Sequence, residues 1–187
     1  MHPLIPRFTN GNTALCAYTP ETPALFHKWL NDQDLINSMG DWSFMPFAYA
    51  NRSPEDYVAQ TKATTWLICN ISDSEKVTPI GYTGIFVKQR HRVGIFRIAI
   101  PDKKDRGQGH GYRATTMFLD WAFRYLDLFA VHLAVTASNN SAVALYKKCG
   151  FAECGRHSQS RHQPDGRVDE IHMEMLRDCW EANKMVK

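Results

Sequence analysis

Arg106-Gly107-Gln108-Gly109-His110-Gly111 places three glycines within five positions. The stretch lies between a β-branched run, Ile98-Ala99-Ile100, and a helical pattern that begins near Tyr112. A loop of this kind can aim its backbone N–H groups at one anion, and without Cβ atoms it can approach a phosphate closely and take φ > 0. The helix that follows adds its unpaired N–H groups and about half a positive charge, and Arg106 can add a fork of donors. The chemistry implied is a cradle for the pyrophosphate of a nucleotide-like ligand. The plain alternative is a helix-entry turn. No Gly-Lys-Ser/Thr follows, so the loop is not a P-loop. The glycine spacing, and the lack of a carboxylate about 20 residues on, also separate it from the dinucleotide fingerprint.

A second group of chemically capable residues lies downstream, in Asn139-x-x-Ala142-x-x-Leu145-Tyr146-x-x-x-Gly150-Phe151. By position Asn139 is a helix cap. By period Tyr146 falls on the apolar face with Ala142, Leu145 and Cys149, which makes it a core tyrosine; its phenol is also a possible acid. A third group is the aromatic segment from Trp42 to Tyr49, with Phe44, Met45 and Phe47 between. It either lines an apolar pocket or packs its rings onto the core.

The elements that must carry these groups follow from pattern and punctuation. Thr13 to Tyr18 reads as a first strand after an Asn-Gly-Asn turn. Pro23 opens a helix with Leu25, Trp29 and Leu30 on one face, and a short helix is expected around Leu35 to Met39. Ser53-Pro54-Glu55-Asp56 is a helix start. Three strands, Thr65 to Ile71, Ile80 to Lys88 and Val93 to Ile100, are joined by short polar segments, as in an antiparallel meander. The helix after the glycine loop repeats Ala114, Met117, Phe118, Trp121, Ala122 and Tyr125 at three- and four-residue steps. Val131 to Val135 is a buried strand, and Gly150 closes the next helix. Phe151 to Gly155 and Val168 to Leu176 are the last strands, and Asp178 to Met185 is a short helix or frayed tail. This order predicts an α/β (α+β) fold: one domain over residues 1–187, with a mixed, mostly antiparallel sheet of about seven strands and helices on both faces.

Composition sets outer bounds. The chain has 187 residues, 44% apolar and 22% charged, which suits one domain with a sizeable core. A net charge of +3, with scattered basic residues, gives no expectation of nucleic acid. No apolar run is long enough to span a membrane, and Met1 to Arg7 lacks the pattern of a signal peptide. The five cysteines are irregularly spaced with no C-x-x-C pair, so neither a metal site nor a disulfide framework is expected. A cytoplasmic chain, monomeric or homodimeric, fits these features.

The element order and two motifs resemble the GNAT superfamily of acyl-CoA-dependent N-acetyltransferases. Arg106-x-x-Gly109-x-Gly111 is similar to that family's acetyl-CoA signature, and the Asn139 to Phe151 stretch to its second motif. The closing Asp165 to Met173 run, and the lead Pro101 to Asp105, look like the branch of ribosomal-protein-alanine and spermidine N-acetyltransferases. The resemblance implies that acetyl-CoA donates an acetyl group to a primary amine, of a small molecule or a peptide N-terminus, by direct attack in a ternary complex. It implies that the backbone of Ile98, Ala99 and Ile100 pairs with the pantetheine arm. Arg106, Gly107, Gln108, Gly109, His110 and Gly111 would then hold the pyrophosphate. Asn139 would bond the pantetheine or the substrate, and Tyr146 would protonate the departing thiolate. In related proteins the acceptor pocket includes the loop between the first two helices, so Trp42 and Phe44 become its expected lining.

Many members of that branch carry an acidic residue on the strand before the loop. The nearest equivalent position here is Ile95, with Arg97 nearby. Asp41, His132, Asp169, Glu170 and His172 are the possible replacement bases, with Glu170 and His172 on one strand face by period. Release of the amine proton to water needs none of them. The missing acid also keeps open a non-catalytic acyl-CoA sensor.

Overall fold

The computed structural model describes residues 3–30, 63–73, 76–163 and 165–185. The expected helices around Leu35 and after Ser53, the aromatic segment with Trp42 and Phe44, and Asp41 all lie outside the described residues. Within them the chain forms β1 (Pro6–Asn10), β2 (Thr13–Cys16), α1 (Thr22–Leu30), β3 (Ala63–Asp73), β4 (Lys76–Lys88), β5 (Val93–Ala99), α2 (His110–Tyr125), β6 (Ala130–Thr136), α3 (Asn140–Cys149), β7 (Ala152–Gln163), β8 (Gly166–Leu176) and α4 (Arg177–Met185). The strands make one sheet in the order β1-β2-β3-β4-β5-β6-β8-β7. The first five run as an antiparallel meander, and only the β5–β6 pairing is parallel.

Eight strands replace the expected seven. The additional one, β1, was hidden because Pro6–Asn10 shows no apolar alternation: it is an edge strand that is mostly exposed. It is paired to β2 through the Asn10↔Thr13 turn. The β7–β8 hairpin also extends well beyond Gly155. Polar residues, mostly exposed, fill β7 past Gly155, so nothing in the hydrophobicity of that extension marks it as a strand; its partner β8 supplies the apolar half.

Alternation in β2 divides the core. Leu15 joins Ile68, Ile85, Phe96, Val131 and Met173 beneath α2 and α3. Ala14 and Cys16 turn to the other face, where Phe26 and Trp29 of α1 cover Leu67, Cys69, Tyr82 and Ala99. Helices therefore lie on both faces. The buried face of α2 is Ala114, Phe118, Leu119, Ala122 and Phe123, all 2% exposed or less; of the expected stripe, Met117 and Trp121 are half-buried and Tyr125 is 70% exposed, because the face that meets the sheet is turned toward Leu119 and Phe123. Each of its larger side chains contributes about 1.5–3 kcal/mol by burial. The helix begins two residues earlier than its apolar period suggests, at His110, because Gly109 acts as its N-cap.

Candidate active site

The site is built where two adjacent strands stop pairing. β5 and β6 are joined only from Val93↔Ala130 to Ile95↔His132. Both strands continue, to Ala99 and to Thr136. On its other side β5 stays bonded to β4 as far as Ala99, and β6 to β8 as far as Thr136. The β6-facing backbone edge of Phe96 to Ala99 therefore has no strand partner among the described residues. An unpaired edge of this kind can take an extended, amide-bearing ligand as a substitute strand.

The glycine loop lies just beyond the end of that edge. Gly107 and Gly109 have φ of 75° and 81°, the left-handed region, which an L side chain enters at a cost of about 1–2 kcal/mol. A Cβ on Gly107 would meet nothing within 4 Å, whereas one on Gly109 would lie 2.8 Å from Arg113 Nη1. The first turn of α2 has no side-chain cap and no acidic residue. Its N–H groups and the positive end of its dipole are thus left for an outside anion.

Two arginines shape this loop from behind. Arg106 donates from Nε to the carbonyl of Ile100 (2.8 Å) and from Nη2 to that of Pro101 (2.6 Å). It straps the loop to the strand end, which commits two of the donors expected for a phosphate. Arg113 donates from Nη2 to the Gln108 carbonyl (2.7 Å) and to Asn12 Oδ1 (2.5 Å), and from Nε to Thr13 Oγ1 (2.9 Å). Gln108 in turn donates to the Lys104 carbonyl at 2.6 Å. Arg113 carries no signal in the glycine motif; its role depends on the β1–β2 turn folding beside α2.

His110 is only 1% exposed and its Nδ1 lies 2.7 Å from Thr13 Oγ1. That hydroxyl also accepts from Arg113, so it joins the ring to the guanidinium. Nε2 is buried and has no hydrogen-bond partner among the described residues. Burial, then the Arg113 charge, depress the imidazole pKa, so the ring is held neutral.

Asn139 is the N-cap of α3: its Oδ1 accepts from the Ala142 N–H (3.1 Å) and the Ser141 hydroxyl (3.0 Å). The cap uses the carbonyl half of the amide only. Tyr146 is 7% exposed and its ring is wedged between Phe96 (6.4 Å, 85°) and Phe151 (5.9 Å, 67°). Burial, then the nearby Cys149 thiol, push its phenol well above the ordinary tyrosine range, so it keeps its proton. Core residue and acid are thus compatible for this side chain.

The proposed bases are dispersed. Ile95, where an acid was expected, is 37% exposed. Its register partner His132 stands 3.7 Å from Glu174. Asp169 is held by Arg156 and the Gln159 N–H, which together lower its carboxyl pKa, the backbone bond first. Glu170 is bonded to Arg161 and sits with His172 and His157 on the β7–β8 hairpin. A separate shallow groove of about 510 Å³ runs between β1 and α2, lined by Arg7, Phe8 and Met117 among others.

A sheet whose neighbouring strands part beside an uncapped helix N-terminus is the frame of an acyl-CoA-dependent transferase. Residues 26–151 match the acetyltransferase (GNAT) family, and the chain belongs to that family. It is accordingly an acetyl-CoA-dependent N-acetyltransferase. An N-acetyltransferase 9-like protein of Caenorhabditis briggsae is 21% identical over 145 residues, 73% of each chain. A spermidine N(1)-acetyltransferase of Vibrio cholerae is 35% identical over 83 residues, 43% of this chain and 46% of that one. In three dimensions the chain is similar to the Vibrio cholerae spermidine N-acetyltransferase solved with CoA and spermine. The TM-score is 0.77 at 20% identity, over 92% of this chain and 99% of that one. Among the described residues no helix is long and apolar enough to cross a membrane.

Proposed function

We propose that residues 1–187 act as a single domain that moves the acetyl group of acetyl-CoA directly to a small-molecule primary amine in a ternary complex. The observation that carries this reading is the parting of β5 and β6 after Ile95↔His132, with the bare α2 N-terminus beyond it. Acetyl-CoA supplies an activated thioester carbonyl. The free β5 edge over Ile98, Ala99 and Ile100 binds the amides of the pantetheine arm. Gly107, Gln108, Gly109, His110 and Gly111 present main-chain N–H groups to the pyrophosphate, and the buried His110 Nε2, without a partner among the described residues, is a further polar atom beside them. Arg106 acts chiefly by holding the loop to the strand end. The Asn139 Nδ2 group, left over by the cap, orients the pantetheine or the acceptor.

As the amine nitrogen attacks the carbonyl carbon, a β5 backbone N–H stabilises the developing negative charge on oxygen. When the C–S bond breaks, Tyr146 gives its proton to sulfur. His132, beside the vertex where the strands part and oriented by Glu174, takes the proton from the attacking nitrogen. Trp42 and Phe44 remain the proposed acceptor lining. The spermidine acetyltransferase relatives make polyamines the first acceptors to test.

Free thiol release from acetyl-CoA, measured across polyamines, simple amines and a peptide N-terminus, tests the reading. Turnover with one or more small amines is expected. Tight CoA binding without turnover on any acceptor would replace it with the sensor reading, which the isoleucine at position 95 favours.

A further inference from the structure

Three side chains of the β7–β8 hairpin bring their ligating atoms close to one another. The register pairs His157 with Glu170 directly across the two strands. His172 lies two residues beyond Glu170, hence on the same face. His172 Nε2 is 3.2 Å from His157 Nδ1 and 3.5 Å from Glu170 Oε2. Glu170 Oε2 is 3.9 Å from His157 Nδ1. All these atoms lie within 4.8 Å of one another.

We propose that His157, Glu170 and His172 form a binding site for a divalent cation of the zinc class, with one position open to water or another ligand. Ligand geometry is the first argument. Metal–ligand bonds of about 2.0–2.1 Å in a tetrahedron put the ligand atoms about 3.3–3.4 Å apart. The three edges observed, 3.2, 3.5 and 3.9 Å, bracket that value. Ligand type is the second. Two imidazoles and one carboxylate suit zinc and its neighbours, whereas magnesium and calcium prefer all-oxygen sets.

The third argument is the state of Glu170. Its side chain is only 9% exposed, and Arg161 bonds its Oε1. The guanidinium fixes the carboxylate plane and leaves Oε2 directed at the two rings. That is the work of an outer-shell partner at a metal site. Arg161 also adds a positive charge that lowers affinity, so the site is exchangeable rather than permanent. A cation here would tie β7 to β8 beside the irregularity between His157 and Arg161.

The test uses the full chain, freed of metal by a chelator and then titrated with zinc chloride against a chromophoric competitor. One equivalent per chain is expected. His157→Gln and His172→Gln should each weaken binding at least about tenfold. His157 is largely exposed, so its replacement leaves folding intact, and far-UV circular dichroism checks both variants. Cobalt(II) loaded in place of zinc should give visible bands of tetrahedral coordination without thiolate charge transfer. Three results would overturn the site: no bound zinc, unchanged affinity in either histidine variant, or a thiolate band pointing to the exposed Cys154 or Cys179. None of these readouts requires acetyl transfer, so the site stands or falls apart from the catalytic reading.

Discussion

The glycine loop and the His157–Glu170–His172 face of the β7–β8 hairpin both offer polar groups to a ligand, but they are held in opposite ways. The loop is fixed from inside: His110 is buried, Thr13 is fully buried, and Arg113 binds three partners at once. The hairpin is fixed across its surface, by Arg156 with Glu153 and Asp169 and by Arg161 with Glu170. The first arrangement rests on backbone shape and a core, which salt leaves alone. The second rests on ion pairs between side chains, and those of Arg156 stand in or near water, where each is weak and exchangeable. The rigid kind of site suits the cofactor proposed for the loop, and the adjustable kind suits the exchangeable cation proposed for the hairpin.

The difference can be pressed from both sides, beginning with the largest expected effect. Tyr146→Phe keeps the ring that packs on Phe96 and Phe151 and removes the proton. We expect kcat to fall by about a hundredfold or more, with little change in CoA affinity by calorimetry; an unchanged kcat at saturation would remove Tyr146 as the acid. Gly109→Ala forces φ of 81° on a residue with a Cβ and pushes that atom toward Arg113. Acetyl-CoA affinity should drop about tenfold, in line with about 1–2 kcal/mol of backbone strain. Gly107→Ala meets no neighbour and should lose less. Equal losses in the two variants would mean that strain alone, not the Arg113 contact, sets the loop.

Asn139→Asp preserves the cap and deletes the amide donor. Melting should be unchanged while kcat/KM falls several-fold, about 1 kcal/mol for one hydrogen bond. An effect on melting alone would leave Asn139 a cap. His110 gives a pH test of the buried network. Its folded pKa lies below its ordinary value of 6.5, so its contribution is complete above that pH. As pH falls below 6.5 the unfolded chain takes the proton first and stability is lost. Melting temperature should therefore decline more between pH 7.5 and 5.5 in the wild type than in His110→Gln. At the far end of the scale, Arg156→Ala should melt within error of the wild type, because its partners are exposed; a large loss would show that the hairpin is not the weakly held region.

Features written locally were legible in the residues themselves. The glycine loop, the Asn139 cap and the Gly150 stop each depend on a few neighbours in sequence, and each lies where its pattern placed it; the α2 stripe is placed only in part, since its buried face is turned from Tyr125 toward Phe123. Features that depend on pairing were not. β1 is polar and exposed, so only Asn10↔Thr13 pairing makes it a strand. Arg113 looks like one more helix-surface cation until the β1–β2 turn arrives beside it. Glu170 and His172 were visible as one strand face, but His157 joins them only through the β7–β8 register, which the irregularity after it disguises. Cysteine spacing likewise says nothing about a ligand set made of histidines on different strands. The acceptor side rests largely on the segment around Trp42, where aromatic crowding without a period fits pocket lining and core packing alike.

The bond from Thr13 to His110 spans 97 positions, and that from Arg113 to Thr13 spans 100. Contacts of such long range carry a loop-closure cost that local contacts do not. The cradle is therefore not a local motif that becomes competent once its own residues have been made. It is completed when the first hairpin of the chain docks against a helix from its middle. On the reading proposed for this loop, acetyl-CoA finds its site only on the finished domain, and binding it stabilises that form over any partly folded one.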